Sequence, residues 1–128
     1  MNCNRILNKK VMLAFFITVV ISATLVSAWS TYVVFNDNTY VTSAHLTGKT
    51  SYSVIMDVDG ASGLVSNHQM ITTVYEDVPL APDKVIRTWT TRSDYNAAIN
   101  SLSSSKTYYT VWDMTGTGGV QYGTLSFV

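Results

Sequence analysis

Short stretches of alternating apolar and polar residues recur along the chain from residue 31 onward, and turn-forming clusters separate them. The clearest stretch covers residues 51–58, where Tyr52, Val54, Met56 and Val58 occupy alternate positions. Aromatic and β-branched side chains at this spacing are typical of a strand that buries one face. Asn, Asp and Gly residues form turns between such stretches, as at 36–38, 59–63 and 115–119. We therefore predict a mainly β fold of about seven strands.

One segment has a different period. Its apolar residues stand at i, i+3, i+4 and i+7, which predicts a short amphipathic helix over about 93–103, with Ser93 as the N-cap; they are Tyr95, Ala98, Ile99 and Leu102. The expected fold is a small antiparallel sandwich or curved sheet, with this helix inserted before a C-terminal hairpin. The alternative is an α+β arrangement in which the helix packs on one sheet face.

The N-terminus has the layout of a secretory signal peptide. Lys9 and Lys10 precede an uncharged apolar stretch at 11–27, and small residues close it at Ala28. We expect cleavage after Ala28 and a secreted, extracellular product, residues 29–128, that forms a single β-rich domain with no stable membrane span. The alternative is a retained membrane anchor, but four Ser and Thr residues lower the hydrophobicity of the stretch.

Charge and cysteine content restrict the class of protein. Three of the eight basic residues lie in the predicted leader, so five basic and eight acidic side chains remain, giving a net charge of −3. A mildly acidic domain without a basic patch is not expected to bind nucleic acid or anionic lipid. The single cysteine, Cys3, also lies in the leader, so the mature domain is disulfide-free. For a small exported domain this composition favours a bacterial origin.

Few residues in the sequence suggest catalysis or metal binding. Asp57 and Asp59 lie just before Gly60, but the further oxygen ligands of a calcium loop are missing. His45 and His68 stand 23 positions apart, without the spacing of a zinc site. A Gly-x-Ser-x-Gly motif is absent, and no pair of acidic residues stands out. We therefore predict no catalytic residues, no metal site and no cofactor, and enzymatic activity is left open but not favoured.

Aromatic residues are the strongest indication of a binding surface, because Tyr and Trp give a large contact area with a polar tip. Residues 29–128 contain all three Trp and all eight Tyr residues of the chain. We expect about two-thirds of these rings to lie in the core, where aromatic side chains contribute most to stability. Tyr108 and Tyr109 are adjacent, so one strand must direct them to opposite faces. The candidate binding residues are Tyr108, Tyr109, Trp112, Trp89 and Tyr122.

These observations favour a small secreted binding or interaction protein without catalytic activity, whose ligand is a protein or a carbohydrate. Two alternatives are kept. One is a secreted antimicrobial, bacteriocin-like or toxin-like protein. The other is a small extracellular hydrolase, which requires His45 or His68 to meet a carboxylate and a nucleophile in a cleft. The sequence does not predict the oligomeric state.

Overall fold

The structure, a computed structural model, describes residues 28–65 and 67–128. These residues form nine strands: β1 (Trp29–Phe35), β2 (Tyr40–Thr42), β3 (Leu46–Thr47), β4 (Tyr52–Val58), β5 (Gln69–Asp77), β6 (Lys84–Thr91), β7 (Tyr95–Ile99), β8 (Thr107–Thr115) and β9 (Gln121–Phe127). Among the described residues there is no helix with the length and hydrophobicity needed to cross a bilayer. The predicted leader, apart from Ala28, lies outside the described residues and stays a prediction.

The strands form two antiparallel sheets. The four-stranded sheet has the order β1-β9-β4-β7, and the five-stranded sheet has the order β2-β8-β5-β6, with β3 also paired to β8. The mainly β prediction is therefore confirmed. The nine strands exceed the seven expected, partly because the stretch predicted after the first turn divides into the short β2 and β3. Every strand pair of both sheets lies within residues 29–127.

The hydrophobic core lies between the inner faces of the two sheets. Each long strand alternates as its sequence predicts, so that Tyr52, Val54, Met56 and Val58 of β4 are all buried. Aromatic rings connect the sheets. Trp29 of β1 stacks on Trp112 of β8, with 5.7 Å between ring centroids. Tyr52 of β4 packs against Tyr108 of β8, with 6.2 Å between ring centroids. The large apolar side chains give this disulfide-free domain its core.

The helix predicted over about 93–103 is wrong, and so is the alternative that packs it on a sheet. Residues 95–99 form β7, an edge strand that pairs with β4, Tyr52 opposite Ile99 and Met56 opposite Tyr95. The two end residues of β7 are four positions apart, a separation that places them on one face of either a helix or a strand. Burial follows the period of two, with Tyr95, Ala97 and Ile99 inward and the residues between them exposed. Pairing with β4 decides between the two periods.

The predicted C-terminal hairpin is also wrong. β8 lies in the five-stranded sheet, whereas β9 lies in the other sheet between β1 and β4. The connection at 116–120 crosses from one sheet to the other instead of turning back within one. Two packed sheets are about 10 Å apart, a distance that a loop of this length spans easily. β9 thereby buries Leu125 and Phe127 in the core.

Candidate functional site

Three rings stack on the outer face of the five-stranded sheet. Tyr75 of β5 and Tyr109 of β8 lie directly opposite each other in the strand register, with ring centroids 5.1 Å apart and planes inclined by 15°. His45, in the connection between β2 and β3, stacks on Tyr109 at 4.3 Å with an angle of 2°. Because β8 lies between β5 and β3, the other two rings cover opposite faces of Tyr109. We call Tyr75, Tyr109 and His45 the aromatic stack.

Two carboxylates hold this stack in place. The hydroxyl of Tyr109 donates a hydrogen bond of 2.5 Å to Oδ2 of Asp83, and Oδ1 of Asp83 accepts one from the backbone N–H of Val78. Asp83 therefore ties the loop between β5 and β6 to the stack. On the other side, Nδ1 of His45 lies 2.9 Å from Oδ2 of Asp77. Tyr109 and His45 are thus each held by a carboxylate, and Tyr75 is held by its stacking on Tyr109.

The ionisation states of Tyr109 and Asp83 follow from the contacts of the two side chains. The hydrogen bond from Tyr109, and then the N–H of Val78, lower the pKa of Asp83 below its ordinary value. Burial, and then the hydrogen bond to Asp83, raise the pKa of Tyr109. At neutral pH the phenol is therefore protonated and the carboxyl is ionised. Such charge-assisted hydrogen bonds are shorter and stronger than neutral ones.

A cleft of about 380 Å³ adjoins the stack at Asp77. Its wall is stabilised by an ion pair, in which Nζ of Lys106 lies 2.8 Å from Oε1 of Glu76. The hydrogen bond to Glu76 raises the pKa of Lys106. The cleft thus contains an ion pair and the carboxylate of Asp77, which also contacts His45 of the stack. Its lining residues are Glu76, Asp77, Val78, Pro79, Ser105, Lys106 and Thr107.

The five candidate binding residues do not lie on one surface. Tyr108 and Trp112 face inward and are buried, with 2% and 0% of their surfaces exposed. Trp89 of β6 is half-buried between Arg87, 5.0 Å over its ring, and a tyrosine of β7. Tyr122 of β9 is exposed on the outer face of the four-stranded sheet. Among the five, Tyr109 alone belongs to the aromatic stack.

Sequence reasoning missed Tyr75, and it considered His45 only as a metal ligand or catalytic base. Tyr75 and Asp77 stand at alternate positions of β5 and share its outer face, a signal that the sequence does contain. Which residue of β8 lies beside Tyr75 depends on strand register, for which the sequence has no local signal.

The His45–Asp77 contact also bears on the hydrolase alternative. A histidine whose Nδ1 meets a carboxylate has the orientation of a general base. Among the described residues, however, no hydrogen bond joins Nε2 of His45 to a hydroxyl group. His68 lies elsewhere, fully buried, with Nε2 3.5 Å from Oδ1 of Asp37. The described part of the chain also contains no group of three or more His, Cys, Asp or Glu side chains placed to hold a metal ion.

A second pair of rings lies on the outer face of the four-stranded sheet. Tyr32 of β1 and Tyr122 of β9 stack with centroids 6.4 Å apart and an angle of 12°. The hydroxyl of Tyr32 donates to Oδ2 of Asp59. The two residues expose 62% and 51% of their surfaces. We call Tyr32 and Tyr122 the tyrosine pair.

Comparison of the chain with known protein families, with curated proteins and with solved structures finds no match.

Proposed function

We propose that this protein is a small secreted binding protein without catalytic activity, and that it contacts a protein partner through the aromatic stack and the adjoining cleft. The observation that carries the proposal is the stack itself, three parallel rings on a solvent-facing side of a sheet, held by Asp77 and Asp83. These rings lie outside the core between the sheets.

The fixed geometry supports a role in binding. Immobilising a flexible side chain at an interface costs about 0.5–1.5 kcal/mol, and that cost opposes association. In the aromatic stack each ring is already held, either by a neighbouring ring or by a carboxylate. When a partner docks there, the side chains of the stack therefore lose little further conformational entropy. Rings with a polar tip are also the residues that most often dominate binding energy.

The way in which the rings pack favours a protein over a carbohydrate. Sugars usually pack flat against an exposed aromatic face, but Tyr75 and His45 already cover both faces of Tyr109. The central ring therefore presents its edge to solvent. Ring edges, the carboxylate of Asp77 and the polar cleft suit the mixed donors and apolar groups of a peptide surface.

The proposed location of the protein rests on the predicted signal peptide. A domain whose core needs no disulfide is compatible with export, since its stability comes from the packed rings between the sheets. The net charge of −3 expected for the exported part also favours partners that are not themselves acidic.

The proposal is tested by selecting a random peptide display library on the chain from Ala28 to Val128, which contains every strand of both sheets. Selected peptides are then measured against a variant of the stack, Tyr75→Ala with Tyr109→Ala. The matched control removes the tyrosine pair, Tyr32→Ala with Tyr122→Ala. We expect peptides that bind the wild type and the control, and that bind the stack variant at least about tenfold more weakly. Equal binding to all three proteins, or ligands found only among immobilised glycans, would contradict the proposal.

A further inference from the structure

One carboxylate oxygen in the cleft beside the aromatic stack has no partner among the described residues. Oδ2 of Asp77 lies 2.9 Å from Nδ1 of His45, whereas Oδ1 of Asp77 takes part in no hydrogen bond with that part of the chain. The side chain of Asp77 exposes 37% of its surface, and its Oδ1 is not a buried atom. Asp77 also lines the cleft. Its Oδ1 is therefore an acceptor that a ligand can reach.

The negative charge of Asp77 is not balanced by a lysine or an arginine. Nζ of Lys106 pairs with Glu76 at 2.8 Å, and Lys84 of β6 stands opposite Glu76 in the strand register. Because Glu76 and Asp77 are neighbours in β5, their side chains point to opposite faces of the sheet. Within the described residues, the imidazole of His45 is the only basic group that contacts Asp77. Asp77 thus presents an acidic spot next to the aromatic stack.

The walls of the cleft suit a long side chain with a charged tip. Val78 and Pro79 give the cleft apolar surface, against which the methylene groups of a lysine or an arginine can pack. The hydroxyls of Ser105 and Thr107 are each bonded to a neighbouring hydroxyl, at 2.9 and 2.7 Å. Asp77 is therefore the group that selects the charge of a ligand.

The size of the cleft limits what it can hold. Small-molecule sites usually enclose about 300–1,000 Å³, and this cleft, with about 380 Å³, lies near the lower limit. A volume of this size has room for one side chain of a partner that docks on the aromatic stack.

We propose that the protein partner inserts one basic side chain, a lysine or an arginine, into this cleft. Its methylene groups pack against Val78 and Pro79, and its charged head donates a hydrogen bond to Oδ1 of Asp77. The residues next to it in the partner contact the aromatic stack. An acidic or neutral side chain would leave the carboxylate of Asp77 desolvated and unpaired, which is the basis of the selectivity. This inference rests on the proposed function, because it names the chemistry of the partner at the same site.

The test uses peptides selected on the wild-type protein whose binding is weakened by Tyr75→Ala with Tyr109→Ala. Each lysine and arginine of such a peptide is replaced in turn by glutamine, which is similar in length but uncharged. The dissociation constants of the original and the replaced peptides are then measured on the wild type and on variants of Asp77. Together these values form a double-mutant cycle, which isolates the contact between the two groups.

The protein variant is Asp77→Asn, which removes the charge but keeps an oxygen that can accept a hydrogen bond from His45. Asp113→Asn is the matched control. It makes the same change on the outer face of β8, about 13 Å along the strand from Tyr109. Circular dichroism verifies the fold of each variant, and Asp77→Thr takes the place of Asp77→Asn should the latter fail to fold.

On the wild type and on Asp113→Asn, the replacement of one basic residue in the peptide is expected to weaken binding at least about tenfold. On Asp77→Asn the same replacement should change binding less than about twofold. The inference would be overturned by stack-dependent peptides that contain no basic residue, or by a basic residue whose replacement has the same effect on Asp77→Asn as on the wild type. Either result leaves the proposed function intact. A selection that yields no stack-dependent peptide would overturn both.

Discussion

The indole Nε1 of Trp112 donates a hydrogen bond of 2.8 Å to the hydroxyl of Tyr95, which links the five-stranded sheet to the four-stranded one inside the core. The same hydroxyl lies 2.7 Å from Oγ1 of Thr72. Trp112 and Thr72 are fully buried, so Tyr95 satisfies polar groups that solvent does not reach. Burial raises the pKa of Tyr95 to about 12, so the phenol stays protonated at neutral pH.

Removing this hydroxyl should cost stability without changing the packing of the ring. Tyr95→Phe leaves the indole N–H and the hydroxyl of Thr72 without a partner, and we expect a loss of about 1–3 kcal/mol in the free energy of unfolding. Urea unfolding followed by tryptophan fluorescence measures this loss. Tyr40→Phe, at an exposed tyrosine, is the control and should change stability little. Equal effects at the two positions would show that the buried network contributes nothing.

Gly123 lies at the centre of β9 where the backbone is tightly packed. A Cβ atom there would collide with the carbonyl oxygen of Asp57 and lie 2.7 Å from Cε2 of Phe35. Since a backbone carbonyl cannot move aside easily, Gly123→Ala should destabilise the protein by about 1–3 kcal/mol or more. Gly119→Ala, with nothing within 4 Å of the new atom, should be close to neutral. Thermal unfolding of the two variants compares them, and a Gly123→Ala variant as stable as the wild type would contradict this packing.

His68 is a buried polar residue whose Nδ1 has no hydrogen-bond partner among the described residues. Its Nε2 lies 3.5 Å from Oδ1 of Asp37, too far for a good hydrogen bond. Replacing such a group with an apolar one removes the cost of its desolvation. His68→Leu should therefore leave the stability unchanged or increase it. The reverse exchange at the equally buried Met70, Met70→His, should lose about 1–3 kcal/mol. If His68→Leu loses as much as Met70→His in urea unfolding, His68 has a stabilising role that the contacts do not explain.

Because of the Tyr109–Asp83 hydrogen bond, we expect the stability of the fold to depend on pH in the acid range. It lowers the pKa of Asp83 in the folded state. The carboxylate therefore stabilises the fold at pH values above the ordinary carboxyl pKa, and this contribution is lost as the pH falls through the lowered folded-state value. Tyr109→Phe should raise the pKa of Asp83 in a carbon-detected NMR titration and reduce this acid-dependent part of the stability. Tyr75→Phe should leave that pKa unchanged. If the pKa of Asp83 is the same in Tyr109→Phe as in the wild type, the hydrogen bond is not formed in solution.

Local pattern in the sequence was sufficient to predict several of the strands and their buried faces. The alternation at 51–58 corresponds to β4, bounded by Tyr52 and Val58. The adjacent Tyr108 and Tyr109 do lie on opposite faces, one in the core and one in the aromatic stack. In both cases the deciding property, the period of two, acts between neighbours in the chain.

Pairing between residues that are far apart along the chain could not be predicted from the sequence. Residues 95–99 fit a helix or a strand equally well, and only β4, about 40 positions earlier, favours the strand. β8 and β9 are close in sequence but join different sheets. The reason is that β9 pairs with β1, which lies about 90 positions earlier in the chain. The aromatic stack depends on the same kind of long-range pairing, between β5 and β8.

The adjacent tyrosines of β8 test the proposed binding surface most directly. The measurement compares Tyr108→Ala and Tyr109→Ala in urea unfolding and in binding to peptides selected on the wild type. Tyr108→Ala, which empties a core site, should lose about 3–5 kcal/mol of stability. Tyr109→Ala should lose only about 1 kcal/mol, as expected for a cross-strand ring pair, yet bind the peptides at least about tenfold more weakly. A folded Tyr109→Ala variant that binds those peptides as tightly as the wild type would contradict the account.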